Sequence, residues 1–261
     1  MKIYLISLEQ DLQRRTELLN HFPNYYPKMK WIKAVNGKSL SAKEYFSYVE
    51  KYFLLHQKVI TPSEVGCTLS HMKALEEFLD TEDQFCLILE DDVRGQDQDI
   101  EKLTKVFSNA SLKGIFLLRD QNNFGFSKYI FGRKIFNFYE IPRFSTQFMF
   151  GSCAYIIDRE SARAVLEHHK KSFEITDAWL RIVQGTRVNF YYSPVFIHPE
   201  DLSHSHIENE RANFYINEKN FFKRVYKQGI FWKIGNRIRN DLSSWMLIFK
   251  GYKQIHRNQI K

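Results

Sequence analysis

Cysteine is scarce in this chain. The 261 residues hold three, Cys67, Cys86 and Cys153, with no Cys-x-x-Cys pair among them. That argues against a disulfide-stapled secreted fold and fits a reducing compartment. Long hydrophobic runs are missing too. Nothing approaches the roughly 18 uninterrupted apolar residues of a membrane-spanning helix, and the apolar stretch after Lys2 ends at Glu9, too short for a signal peptide. There is no Gly-x-Gly-x-x-Gly and no P-loop pattern to signal a dinucleotide or ATP site, and no internal repeat. Most of the chain also lacks net charge. Residues 219–261 hold eleven Lys/Arg against one acid, Asp241, a balance of +10, which leaves the other 218 residues at −2 of the total +8. A nucleic-acid enzyme carries basic residues across its working face; here they form an appendage.

What is present is enough for a core. Apolar residues make up 44% of the chain, which excludes global disorder. The length fits one large domain with a small addition. Lys2–Leu8 reads as a buried strand, followed by a helix bearing Arg14 and Arg15. Trp31–Val35 is a second strand, closed by the turn pair Asn36-Gly37. Residues 41–56 read as a helix, and Thr61-Pro62-Ser63-Glu64 starts another that runs to about Leu79. Phe85–Leu89 is a strand that delivers Glu90-Asp91-Asp92 at its end. A helix near 97–107, a strand at Gly114–Leu118, a hairpin over 128–141 with Gly132-Arg133 near its turn, a strand at Ala154–Ile157 and a helix at Ser161–His169 continue the series. This alternation predicts an α/β architecture with a mostly parallel central sheet. In such sheets ligands bind at the carboxyl ends of strands, which is where the acidic triplet falls.

Three adjacent carboxylates after a hydrophobic strand suit a hard divalent ion, Mn²⁺ or Mg²⁺, shared with substrate phosphate. Taken alone, such a triplet is more often a solvated loop. On the helix after Thr61, Gly66 permits close backbone approach, and Ser70 and His71 lie one turn further along. A packed helix with a satisfied histidine is the plainer reading. His198–His206 gathers three histidines and two acids, from which a metal ligand or a diphosphate contact could come; an ordinary polar loop is the alternative.

Four motifs in order resemble glycosyltransferase family 25: Leu5-Ile-Ser-Leu8 followed by Arg14-Arg15; Ala34-Val-Asn-Gly37; Glu64-Val-Gly-Cys-Thr-Leu-Ser-His71; and Leu87-Ile-Leu-Glu-Asp-Asp-Val93. A weaker match continues through Ala154-Tyr-Ile-Ile and Asp177-Ala-Trp to about Ile207. The resemblance implies a GT-A-like nucleotide-sugar-binding fold over residues 1–215, a UDP-sugar donor, a divalent metal and inversion at the anomeric carbon. It also implies a hexose, with galactose first, passed to a lipid-linked lipooligosaccharide or lipopolysaccharide glycan. Carried over by residue, it expects the nucleotide sugar at Ser7, Leu8, Arg15, Asn36, Gly66, Ser70, His71, Glu90 and Asp91, with Arg15 a phosphate partner. It expects the metal at Glu90 and Asp92, completed by His206 from the late loop. Asn36 departs from the family's Asp and weakens the case for that position. An inverting transfer needs a general base, and Asp177 is the candidate, against the alternative that it caps a helix. Two other readings of the triplet are a phosphodiester hydrolase and an inactive glycan- or nucleotide-binding module.

The 216–261 segment differs in kind. Phe222, Tyr226, Ile230, Ile234, Ile238, Leu242, Trp245 and Phe249 draw an apolar helical stripe among Lys and Arg, with Gly229 and Gly235 expected to divide it into shorter helices. It is expected to lie on an anionic membrane surface, with Trp232 and Trp245 at the headgroups, ahead of docking on the body or a second subunit. Nucleic acid is not an expected partner. The whole reading places the protein in the cytoplasm, peripheral on the inner membrane.

Overall fold

The computed structural model describes residues 1–108, 110–121, 127–199, 207–208, 210–211 and 229–255. Its strands are β1 (Lys2–Ser7), β2 (Lys30–Lys33), β3 (Phe85–Glu90), β4 (Ile115–Arg119), β5 (Phe131–Ile135), β6 (Phe138–Glu140), β7 (Ala154–Asp158), β8 (Phe190–Phe196) and β9 (Lys253–Gln254). The helices are α1 (Leu12–His21), α2 (Ala42–His56), α3 (Pro62–Leu79), α4 (Asp97–Phe107), α5 (Arg143–Thr146), α6 (Arg159–Ser172), α7 (Trp179–Thr186) and α8 (Gly229–Phe249).

One sheet runs in the order β2-β1-β3-β7-β4-β8-β6-β5-β9. Six strands share a direction, and β7 runs against its neighbours β3 and β4, so the α/β sheet is mixed. Alternating side chains fill two separate layers. Tyr4, Ile6, Cys86, Ile88, Tyr155 and Ile157 face α3, α6 and α7. Ile3, Leu5, Leu87, Leu89, Ala154 and Ile156 face α1 and α4. Burial on both faces explains why β1 and β3 read as continuous apolar runs. Each fully buried Leu or Ile contributes about 1.5–3 kcal/mol.

The helix starts follow local chemistry. Ser41 with Glu44, and Thr61 with Glu64, form capping boxes for α2 and α3, and Pro62 opens α3. Two turn assignments differ from expectation. The β5–β6 turn is at Phe136 and Asn137, whereas Gly132 lies within β5. A Cβ there would meet the Ile255 side chain at 2.6 Å, so Gly132 is a slot for the C-terminal strand. Gly235 does not divide the tail, since α8 runs unbroken for 21 residues. An internal glycine costs only about 1 kcal/mol relative to alanine, which the rest of a long helix outweighs. The tail is also tied to the body. β9 pairs with β5, Ile255 is buried, and the Tyr129 hydroxyl donates to Asp241 at 3.2 Å.

Candidate active site

Two adjoining cavities open at the carboxyl end of β3, of about 190 and 240 Å³. Cys67, Glu90, Asp92 and Ile207 line both. The first is bounded by the end of β1, the 34–38 loop and α3; the second by Arg119, Gly151, Ser152, Asp177, His198 and Arg211.

The three acids fan apart. Glu90 accepts from Ser152 Oγ at 3.0 Å and from His71 Nε2 at 3.3 Å. His71 therefore bridges Glu90, at its Nε2, and the Tyr155 hydroxyl, 3.1 Å from its Nδ1. Asp91 turns toward α1, where Arg14 Nη1 lies 3.0 Å from its Oδ1. Burial pushes the Asp91 carboxyl up to about 6, against a hydrogen bond from Ser7. Asp92 faces His198 Nε2 at 3.4 Å and Arg14 at 3.6 Å. Burial works to raise its pKa, but the His198 hydrogen bond and charge, with Arg14 and Arg119, outweigh it and hold the carboxyl below its ordinary value. Burial likewise opposes charge on His198, and Asp92 overcomes it, raising the imidazole's pKa. The other oxygen, Asp92 Oδ1, is buried with no hydrogen-bond partner among the described residues.

That unmatched oxygen is the observation bearing on a metal. A buried carboxylate oxygen without a donor is costly, and a hard cation or an incoming donor at the cavity boundary would satisfy it. Glu90 and Asp92 therefore fit Mn²⁺ or Mg²⁺ as oxygen ligands. The expected third ligand, His206, lies outside the described residues; His198, from the same segment, is the histidine placed beside Asp92. Among the described residues, the set whose ligand atoms converge within 4.8 Å is Cys67, His71 and Glu90. Within the acidic triplet, Asp91 pairs with Arg14 and Asp92 with His198, which leaves Glu90 and Asp92 as the two acids shared by both cavities. Burial and the Glu90 charge push the Cys67 thiol well up, so it is protonated near neutrality.

Several expected ligand-binding residues hold the wall instead. Arg15 is buried and directed inward, donating to Ser7 Oγ at 2.8 Å, to the Leu8 carbonyl, and to the Glu9 carbonyl at 2.8 Å. Its guanidinium lies 4.5 Å from the Trp31 ring centroid. Arg15 does not line the cavity; Arg14, one residue earlier, does. Helical rotation by 100° per residue is the reason. Ser70 Oγ accepts from Val35 N–H at 2.8 Å and donates to the Gly66 carbonyl at 2.6 Å, fastening the 34–37 loop to α3. Gly66 lets the backbones meet, for a Cβ would stand 2.5 Å from the Val35 carbonyl oxygen. Asn36 lines the cavity while its Oδ1 accepts from Lys38 N–H at 3.1 Å. Ser7, Leu8, Ser70 and His71 also line it.

Asp177 stands in the second cavity and does not cap α7, whose N-cap is Ala178 with no side-chain bond. Its Oδ2 accepts from Gly151 N–H at 3.1 Å, and the Gly151 carbonyl accepts from Trp179 Nε1 at 3.1 Å. Gly151 has φ of +79°, a left-handed conformation that favours glycine. Opposite, Arg211 is held by Glu64 at 2.7 Å and Glu208 at 2.7 Å. Sequence reading missed Gly151 and Ser152; a glycine three residues before a buried strand was the available signal.

The sequence model of "Glycosyltransferase family 25 (LPS biosynthesis protein)" matches residues 1–180. The chain belongs to glycosyltransferase family 25. A "Glycosyltransferase 25 family member" of Anopheles gambiae is 35% identical over 97 residues, 35% of this chain and 16% of that protein. "Procollagen galactosyltransferase 2" of Homo sapiens is 30% identical over 116 residues, 41% of this chain and 18% of that protein. The match thus spans less than a fifth of these relatives' length. Among solved structures, galactosyltransferase LgtC in complex with donor and acceptor sugar analogues aligns over 74% of this chain and 73% of its own. Its TM-score is 0.37 with 11% identity, too distant to carry substrate or mechanism. Both cavities draw on the family segment, and the matched residues include Glu90, Asp92, Gly151 and Asp177.

Proposed function

We propose that the protein transfers a hexose, galactose first, from a UDP-sugar to a hydroxyl of a lipooligosaccharide or lipopolysaccharide glycan, with inversion at the anomeric carbon. The observation that carries this reading is the placement of Glu90 and Asp92 on the boundary between two cavities, with Asp177 in the second alone. In it, the first cavity holds the donor nucleotide and the second the acceptor. The acceptor hydroxyl oxygen bonds to the anomeric carbon as the bond from that carbon to the diphosphate oxygen breaks. Its proton passes to Asp177, and UDP departs with the bonding electron pair. Gly151 N–H fixes one Asp177 oxygen, orienting the carboxylate. Lys38 lines the donor side as a cation for phosphate. A divalent ion at Glu90 and Asp92 would supply Lewis-acid neutralisation of the leaving diphosphate. The family description and the galactosyltransferase relatives support the reaction class and the sugar.

The test needs no acceptor. Release of UDP is measured from a panel of UDP-sugars, with and without Mn²⁺, for wild type and Asp92→Ala. Metal-dependent release from one donor, lost in the variant, is expected. No turnover, together with no calorimetric binding of UDP with or without metal, would sink the reading.

A further inference from the structure

The last long helix carries its polarity the wrong way round. Over the part of α8 whose side chains are described, the least exposed positions are Asn236, Asn240, Ser243, Ser244 and Leu247. They recur every three or four residues and so form one face. Four of the five are polar. The opposite face holds Ile238, Leu242, Trp245 and Phe249 at i, i+4, i+7 and i+11, with exposures of 55%, 62%, 64% and 84%. Met246 and Ile248 widen this stripe at 60% and 55%. A helix packed on a globular body ordinarily buries its apolar stripe. This one keeps small polar side chains inward and leaves its large apolar ones outside.

The inverted orientation is anchored. Leu247 is buried, Asp241 accepts from Tyr129, and the helix closes on Gly251 at φ +80°, with Tyr252 N–H donating to the Leu247 carbonyl at 3.0 Å. β9 then pairs with β5. The outward stripe is therefore held in place by Leu247 on the inward face and by Asp241 at the stripe's own edge, beside Ile248.

Charge identifies what covers it. Three cations edge the stripe, Arg237 and Arg239 on its two flanks at 100° per residue and Lys250 beyond its last turn, with one acid, Asp241, on the Arg237 side against the Tyr129 hydroxyl. All three cations are exposed. The surrounding segment 219–261 carries +10. A second copy docking here would bring two such basic segments together, which like-charge repulsion opposes. An apolar stripe edged by cations matches a bilayer surface, where the rings and aliphatic chains enter the acyl boundary and the guanidinium groups meet lipid phosphates. No helix among the described residues is long and apolar enough to cross a membrane, so a bilayer would meet α8 along its length rather than be spanned by it.

We propose that the Ile238–Leu242–Trp245–Phe249 face of α8 is a docking surface for an anionic lipid bilayer. The proposal is independent of the transferase reading, since its test uses no sugar. Full-length protein is sedimented with phosphatidylcholine vesicles, with and without phosphatidylglycerol, for wild type, Leu242→Glu/Trp245→Glu and Arg237→Glu/Arg239→Glu. Wild type is expected to sediment with the anionic vesicles, and both variants to partition at least about tenfold more weakly. Both pairs are exposed, so the melting temperature should hold; if a variant unfolds, the emission of wild type against Trp245→Phe decides instead. A blue shift on adding anionic vesicles, lost in Trp245→Phe, supports docking through this face. Equal sedimentation of the folded Leu242→Glu/Trp245→Glu variant, or no wild-type binding to anionic vesicles, overturns the proposal. So does a lipid-free dimer in analytical ultracentrifugation that the same variant dissociates.

Discussion

The two cavities on either side of Glu90 and Asp92 are built by different means. The first is lined by Arg14, Lys38 and the acidic triplet, around a loop and a strand end that backbone contacts hold in place. Arg15 grips the carbonyls of Leu8 and Glu9, Ser70 holds Val35 N–H, and Gly37 and Gly66 bring the loop against α3. The second is walled by charged side chains from separate parts of the chain, Arg119, Asp177, His198 and Arg211, set around a left-handed glycine. A wall fastened through backbone cannot change without moving the fold, whereas side-chain walls can change one residue at a time. An unvarying ligand portion would suit the first and a variable one the second, the division that the proposed donor and acceptor sides assume.

The largest expected effect lies on the second side. Asp177→Asn keeps an oxygen to accept from Gly151 N–H but cannot take a proton. Transfer kcat should fall by roughly 10²–10⁴, the range for removal of a general base. If the donor sits in the other cavity as proposed, its KM should stay within about threefold. A kcat within tenfold of wild type would remove Asp177 from the role of base and leave it as a support for Gly151.

How much of this was legible follows the same division. The first cavity is assembled from stretches whose signals are local: a buried strand ending in acids, a Thr61/Glu64 capping box with Pro62, and a turn at Asn36-Gly37. Reading these placed β1, β2, α2, α3 and β3 close to where they lie. Direction was not legible. Arg14 and Arg15 carry the same charge in sequence, and only the rotation of α1 sends one to Asp91 and the other beneath Trp31. The second cavity depends on pairings between residues far apart in the chain, Gly151 with Asp177 and Glu64 with Arg211. No local pattern announces these. Gly132 failed as a turn signal for a similar reason, since its partner Ile255 comes from the far end of the chain.

On the first side the comparison predicts a cost in folding. A Cβ on Gly37 would overlap the Pro62 carbonyl, a backbone atom that opens α3 and cannot swing aside. Gly37→Ala should lose about 3 kcal/mol in urea denaturation, the upper end for overpacking. A loss below about 1 kcal/mol would mean that the 34–37 loop is not fastened to α3 as described, and the contrast between the two walls would weaken.

The smallest effect concerns a small closed pocket between α3, α6 and α7. His169 on α6 is buried beside His71 and Thr176, and its Nδ1 accepts from Glu174 N–H at 3.4 Å. Burial, with His168 and His71 nearby, pushes its imidazole down to about 3. Below the ordinary histidine value, the unfolded chain takes up a proton that the folded chain refuses, so stability falls as pH falls. The contribution is complete above about 6.5 and is lost progressively toward about 3. Between pH 7 and pH 5 it amounts to about 2 kcal/mol. His169→Gln can still accept from Glu174 and has no proton to refuse, so its urea midpoint should decline less over that interval. Parallel profiles for the variant and wild type would show that His169 titrates normally and that its pocket opens to water.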